Sequence, residues 1–187
     1  IYPTAWFGAR LAEIGAGDTV AIVGAGPVGQ AAIACARLQG AGRVIVVDGM
    51  GDRLELARDQ HAETIDFNAE DPVEAVVQLT GGIGADSVLE CVGTAEAMRQ
   101  ALHAARPGGN VGFVGVPHEV AVDGQELFFS HVGLRGGPAP VRRYLPDLVQ
   151  RVLAGRIDPG KVFDLTLPLD QIAEGYRAMD ERRAIKT

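Results

Sequence analysis

The feature that most constrains this chain is a junction near its start. The run Thr19-Val20-Ala21-Ile22-Val23 passes straight into Gly24-Ala25-Gly26-Pro27-Val28-Gly29 and then into an alanine-rich stretch ending at Leu38. A short β-branched run bounded by glycine reads as a strand buried on both faces. Pro27 suits the first position of a helix, where its missing N–H would have no partner anyway. The same rhythm repeats downstream. Val44-Ile45-Val46-Val47, Glu63-Thr64-Ile65-Asp66, Ser87-Val88-Leu89 and Asn110-Val111-Gly112-Phe113-Val114 are further short strands, separated by helical stretches at about 52–60, 72–79 and 95–105. Asp71, Pro72 and Glu74 supply an N-cap, a first-turn proline and a third-position glutamate, Gly81-Gly82 ends that helix, and Thr94 caps the next.

Strands apolar on both faces and alternating with helices require a parallel sheet covered on both sides. Right-handed crossovers then give an α/β, doubly wound parallel sheet of the Rossmann type. Past Pro117 the rhythm changes. Val132-Gly133-Leu134 reads as one more strand, and Tyr144 to Ala154 as an amphipathic helix carrying Leu145, Leu148, Val149, Val152 and Leu153. Val162 to Leu167 alternates like a half-buried strand, and Asp170 is placed to cap a last helix with Ile172, Ala173, Tyr176 and Met179 on one side. The division expected is a Rossmann unit over 1–136 and a smaller α+β segment over 137–187.

Composition excludes several classes. The chain has 187 residues and a formal net charge of −7, which opposes an electrostatic grip on nucleic acid or on an anionic membrane. Arg142, Arg143 and Arg151 form too small a basic strip to reverse this. No charge occurs from Thr19 to Ala36, but Gly24, Gly26, Pro27 and Gly29 interrupt that stretch and rule out a membrane span. Cys35 and Cys91 stand far apart, which suits neither a disulfide framework nor a zinc spacing and points to a reducing, cytoplasmic setting. Cys35 reads as core packing, and Glu174 and Asp180 as a solvated face. His61, His103, His118 and His131 are scattered without metal-ligand spacing and read as surface or turn residues. Ile1 at one end and Lys186-Thr187 after an apolar pair at the other are the ends expected of a piece cut from a longer chain.

Gly24-Ala25-Gly26-Pro27-Val28-Gly29 is GxGxxG, and its setting between strand and helix gives it meaning. Gly24 permits the tight turn, Gly26 lets the backbone approach a pyrophosphate at the helix N-terminus, and Gly29 lets helix and strand pack closely. Asp48 ends the second strand, where a carboxylate can accept from both ribose hydroxyls of NAD and repel the 2′-phosphate of NADP. It could instead cap the following helix. The strand ends Glu90-Cys91-Val92-Gly93 and Val114-Gly115-Val116-Pro117 would border the nicotinamide half of such a groove, or simply terminate their strands.

Taken together, these short signatures resemble the zinc-containing, medium-chain alcohol dehydrogenase family over the full length of the chain. They run from Pro3-Thr4-Ala5-Trp6-Phe7-Gly8-Ala9 and Gly15-Ala16-Gly17-Asp18-Thr19-Val20 through the glycine motif, Val47-Asp48, Arg53-Leu54 and Gly84-Ala85-Asp86. They continue through Glu90-Cys91-Val92-Gly93, Arg106-Pro107-Gly108-Gly109 and Gly115-Val116-Pro117 to Glu174-Gly175-Tyr176. The resemblance implies hydride transfer between an alcohol or aldehyde carbon and NAD, with zinc as Lewis acid in the parent protein. It places Thr4 and Val28 against the nicotinamide and Cys91, Val92, Val114 and Val116 along the ribose and carboxamide. The glycine turn with Pro27 would meet the pyrophosphate, Asp48 and Arg53 the adenosine ribose, and Lys186 the pyrophosphate from the far side. It also implies a homo-oligomer joined through the edge strand near 130–134. The family's zinc ligands precede this region, so no catalytic or metal residue is assigned here and the chain alone should be inert. A zinc-free, NADP-dependent medium-chain reductase and a stand-alone dinucleotide-binding module are the alternatives.

Overall fold

The computed structural model describes residues 1–187. Its elements are α1 (Tyr2–Leu11), β1 (Thr19–Val23), α2 (Pro27–Leu38), β2 (Arg43–Asp48), α3 (Gly51–Asp59), β3 (Glu63–Asp66) and α4 (Pro72–Leu79). They continue as β4 (Ala85–Glu90), α5 (Ala95–Ala104), β5 (Ala105–Phe113), α6 (Gly124–Ser130), β6 (Gly133–Gly136), α7 (Val141–Leu153) and α8 (Ile172–Asp180). The strands form one sheet in the order β3-β2-β1-β4-β5-β6, and every neighbouring pair is parallel.

Alternation along each strand feeds two separate cores. Val20, Ile22, Val44, Val46 and Leu89 face α1 and α2, whereas Ala21, Val23, Ile45, Val47 and Val88 join α4 and α5 on the opposite face. Both faces are therefore dry, as parallel strands demand. Asp71 accepts from the N–H groups of Val73 and Glu74, and Thr94 from that of Ala97, so the two caps read from the sequence fix the starts of α4 and α5. At the other end of the sheet, the Asp86 carboxylate accepts from Thr19 N–H at 2.8 Å and Arg106 at 2.7 Å. Burial works against its charge, but these hydrogen bonds hold it below the ordinary carboxylate range.

Two helices escape the sequence patterns. α1 lacks a side-chain cap, yet it lies backbone to backbone on β5, where a Cβ on Gly112 would come 2.4 Å from the Gly8 carbonyl oxygen. Ser87 Oγ donating to the Ala12 carbonyl at 2.8 Å and Gln39 Nε2 to that of Trp6 at 3.2 Å hold it there. α6 is capped by Asp123 and ends at His131 in the left-handed region. Its neighbour β6 is an edge of the sheet.

The C-terminal segment departs most from expectation. Val162 to Leu167 does not form a strand: only a 3₁₀ turn over Pro159–Val162 is regular. The Asp164 carboxylate accepts from the N–H groups of Ile185 and Lys186, capturing donors that a ladder would need. Asp170 does not cap α8 either. It lies within a 3₁₀ turn, and Gln171 takes the cap position without a side-chain bond. α8 buries Gly175 and Ala178, while the expected apolar side turns outward, with Ile172 54% and Tyr176 67% exposed. On α7 only Leu148 of the apolar stripe is buried. Beneath it, Trp6 stacks under the Arg151 guanidinium at 4.9 Å. No helix is long and apolar enough to cross a membrane.

Candidate functional site

The sheet order reverses direction at β1, whose neighbours are β2 on one side and β4 on the other. Helices connecting β1 to β2 and β4 to β5 leave from opposite faces, so a crevice opens above the strand ends between them. A hollow of about 680 Å³ lies there. Gly24, Gly26, Asp48 and Arg53 line one part of it, Cys91, Val92 and Thr94 another, and Met179, Asp180 and Arg182 from the end of α8 form a far wall.

The three glycines of the turn are required for different reasons. Gly24 sits at φ +95°, and a Cβ there would come 2.5 Å from Val92 Cγ2. A Cβ on Gly29 would fall 1.8 Å from the Gly24 carbonyl oxygen, so α2 can approach β1 only with glycine at that point. Gly26 differs, since a Cβ there would meet only Arg53 Nη1, at 4.0 Å. The space above it is open to the hollow. Gly26 is also the N-cap of α2 and has no side chain to bond the first turn, which leaves its N–H groups directed outward.

Asp48 is buried, and three backbone donors hold its carboxylate. Oδ2 accepts from Ala25 N–H at 2.7 Å, and Oδ1 accepts from Gly49 and Met50 N–H at 2.8 and 2.9 Å. Arg53 Nη1 stands 3.8 Å from Oδ2. The N-cap of α3 is Met50, so Asp48 does not serve as that cap. It ties the glycine turn to the end of β2 while still lining the hollow. Gln30, which the sequence patterns do not single out, adds a second tie. Its buried Nε2 donates to the carbonyls of Ala25 at 3.1 Å and Arg53 at 2.7 Å, and its Oε1 accepts from Gln60.

Of the residues expected at a dinucleotide, Gly24, Gly26, Asp48, Arg53, Cys91 and Val92 come together around this hollow, with Pro27, Val28 and Gly29 in the first turn of α2. Thr4, Val114 and Val116 are not on its wall. Lys186 lines a separate hollow of about 210 Å³ with Tyr176, and Met179 borders both. Arg182 is the cation that the tail places on the main wall, and Asp180, exposed to solvent as expected, borders the same hollow. Burial pushes the Cys35 thiol up to about 12, and burial followed by the nearby Glu90 charge raises that of Cys91. No three His, Cys, Asp or Glu side chains converge to hold a metal ion.

The family model described as zinc-binding dehydrogenase matches residues 27–153. The chain belongs to the zinc-binding dehydrogenase family. One relative, named "Probable zinc-binding alcohol dehydrogenase Rv1895" from Mycobacterium tuberculosis, is 40% identical over 92% of this chain and 45% of its own length. Another, the NADP-dependent isopropanol dehydrogenase of Thermoanaerobacter brockii, is 33% identical over 96% of this chain and 53% of its own. The structure of alcohol dehydrogenase TADH from Thermus sp. ATN1 superposes with a TM-score of 0.95 at 34% identity, covering 99% of this chain and 54% of that one. This zinc-binding dehydrogenase chain thus spans about half the length of the curated relatives it matches.

Proposed function

We propose that this chain binds NAD in the hollow at the carboxyl ends of β1 and β4, as the coenzyme-binding part of a zinc-dependent alcohol dehydrogenase. The observation that carries the reading is the glycine turn, where Gly29 is closed by packing while Gly26 is open towards a groove with a carboxylate at one end. The N–H groups at the start of α2 take the pyrophosphate, and Asp48 with Arg53 beside it takes the adenosine ribose. Cys91, Val92, Val114 and Val116 border the nicotinamide half, with Thr4, Val28 and Lys186 assigned to the same ligand. When bound, the nicotinamide supplies the hydride acceptor for an alcohol, or the donor for an aldehyde. The residues of this chain do not fit a zinc ion, since no three metal-ligating side chains converge. On this reading residues 1–136 are the dinucleotide-binding unit and 137–187 belong to the catalytic domain, and the two free cysteines suit the cytoplasm.

Titration with NADH and then NADPH, following energy transfer from Trp6 and the tyrosines to the reduced nicotinamide, tests this. Saturable NADH binding is expected, with NADPH weaker by at least about tenfold because its 2′-phosphate meets the Asp48 carboxylate. Failure of both to bind would end the reading. Tighter NADPH binding would overturn the NAD assignment in favour of NADP, the reading that Arg53 on the groove wall and the NADP-dependent relative favour.

The same reading includes a homo-oligomer. β6 is an unpaired sheet edge, and Phe128 and Phe129 on the adjoining α6 are 78% and 75% exposed. A dimer mass in light scattering is the expected result, and a monomer at high protein concentration would count against it.

A further inference from the structure

Glu90 is the last residue of β4 and is completely buried. Its Oε1 accepts from Val92 N–H at 2.7 Å and Gly93 N–H at 2.6 Å. Its Oε2 is buried without any partner. The backbone of the same residue reaches sideways, its carbonyl accepting from Val114 N–H at 2.9 Å and Gly115 N–H at 3.2 Å. The loops after β4 and β5 therefore meet on this one residue. They are also interlocked sterically. A Cβ on Gly93, at φ +93°, would come 2.2 Å from the Val116 carbonyl oxygen, and one on Gly115 would come 2.3 Å from Gly93 N and 2.6 Å from Glu90 Oε2. His118 N–H closes the unit by donating to the Gly93 carbonyl at 3.0 Å.

A fully buried carboxylate with one unpaired oxygen is a poor device for stability, because desolvating it costs more than two local hydrogen bonds return. What those bonds accomplish is to fix the path of the backbone just beyond β4. That path matters to the groove, since Cys91 and Val92 line it beside Gly24. A dinucleotide with its ribose at the end of β2 and its pyrophosphate over the glycine turn must continue across the ends of β4 and β5. It would then lay its nicotinamide half on the two loops that Glu90 joins.

We propose that Glu90 is a positioning residue for the nicotinamide half of the dinucleotide, holding the Val92-Gly93 and Val114–Val116 loops in the shape that receives it. The proposal rests on the dinucleotide reading above. Its test compares NADH with ADP-ribose, which lacks the nicotinamide, in titrations of the 187-residue chain. Glu90→Ala weakens NADH by about tenfold, the scale of a lost oriented hydrogen bond, and leaves ADP-ribose within about twofold. Glu90→Gln keeps an acceptor for both N–H groups and restores most of the NADH affinity. Glu90→Asp withdraws the acceptor by one methylene, so it repeats the selective loss should the alanine chain not fold. Equal weakening of both ligands would show a merely structural role and overturn the proposal, as would unchanged NADH affinity in the alanine and aspartate chains. Absence of ADP-ribose binding by the unaltered chain would instead remove the dinucleotide reading and this proposal with it.

Discussion

A Gly29→Ala chain is expected to lose measurable dinucleotide binding and to melt lower by about 6–12 °C, whereas Gly26→Ala should lose binding with little change in melting. The contrast follows from what each new methyl group meets. At Gly29 it would lie 1.8 Å from the Gly24 carbonyl oxygen, a backbone atom that cannot rotate away. Gly24 cannot retreat, because its N–H is bonded to the Val47 carbonyl at 2.8 Å and its φ is already +95°. The helix must slide outward instead, which opens the core around Ile22 and Ile33 and withdraws the N–H groups of its first turn from the groove. Overpacking against backbone costs about 3 kcal/mol on the scale of buried steric clashes. At Gly26 the nearest atom is 4.0 Å away, so the methyl enters open space, which the proposed dinucleotide would occupy. Thermal denaturation of both variants beside NADH titration checks the pair. A Gly29→Ala chain that melts with the parent would mean that α2 can move freely against β1, contrary to the packing described.

The second large effect concerns Asp48 and does not depend on any ligand. Asp48→Ala removes the only side-chain acceptor for the N–H groups of Ala25, Gly49 and Met50 at once. Ala25 is fully buried, so its donor is left in a site from which water is excluded. A buried donor without a partner costs about 1–3 kcal/mol, and charge-assisted bonds lie at the upper end, so a loss of about 3 kcal/mol is expected. Asp48→Asn is not conservative here. Its Oδ1 can still serve Gly49 and Met50, but its amide would confront Ala25 N–H donor to donor. Urea denaturation without dinucleotide should show lower midpoints for both variants, with alanine the lower. Midpoints equal to the parent would mean that the carboxylate is not holding the turn. Dinucleotide affinity in Asp48→Ala must accordingly be read beside this loss, since the residue shapes the turn as well as facing the groove.

Much of the sheet was legible because its determinants are local. β-branched runs set β1 and β2, glycine closes β1, and the caps Asp71 and Thr94 act on N–H groups two or three residues away. The elements that escaped depend on distant partners. α1 has no capping side chain and is held by β5, and the side chain that anchors its end belongs to Ser87. The strand end 90–93 could be read only as a groove border or a plain terminator, because the contacts of the Glu90 side chain include the loop after β5, where Gly115 lies against its Oε2. The apparent strand at Val162 to Leu167 had the right alternation but no ladder partner, and Asp164 bonds the donors alongside it. Gly24, Gly26 and Asp48 were legible from a glycine motif in its strand–helix setting and from a strand end, whereas Met179, Asp180 and Arg182 reach the groove through a fold-back that no local pattern signals.

The position of β1 in the sheet also makes its two edges depend on distant parts of the chain. Its β2 side is satisfied after one short crossover, by residues 43–47, but its other side waits for residues 87–90. Without those residues, an apolar strand with an open hydrogen-bonding edge would form the rim of the three strands β3-β2-β1. The glycine turn at its tip would also lack the Val92 side chain that lies against Gly24. The loop-closure entropy of the long return must be met before β4 contributes any pairing. A chain truncated before β4 would therefore present an aggregation-prone edge at what is the middle of the complete sheet.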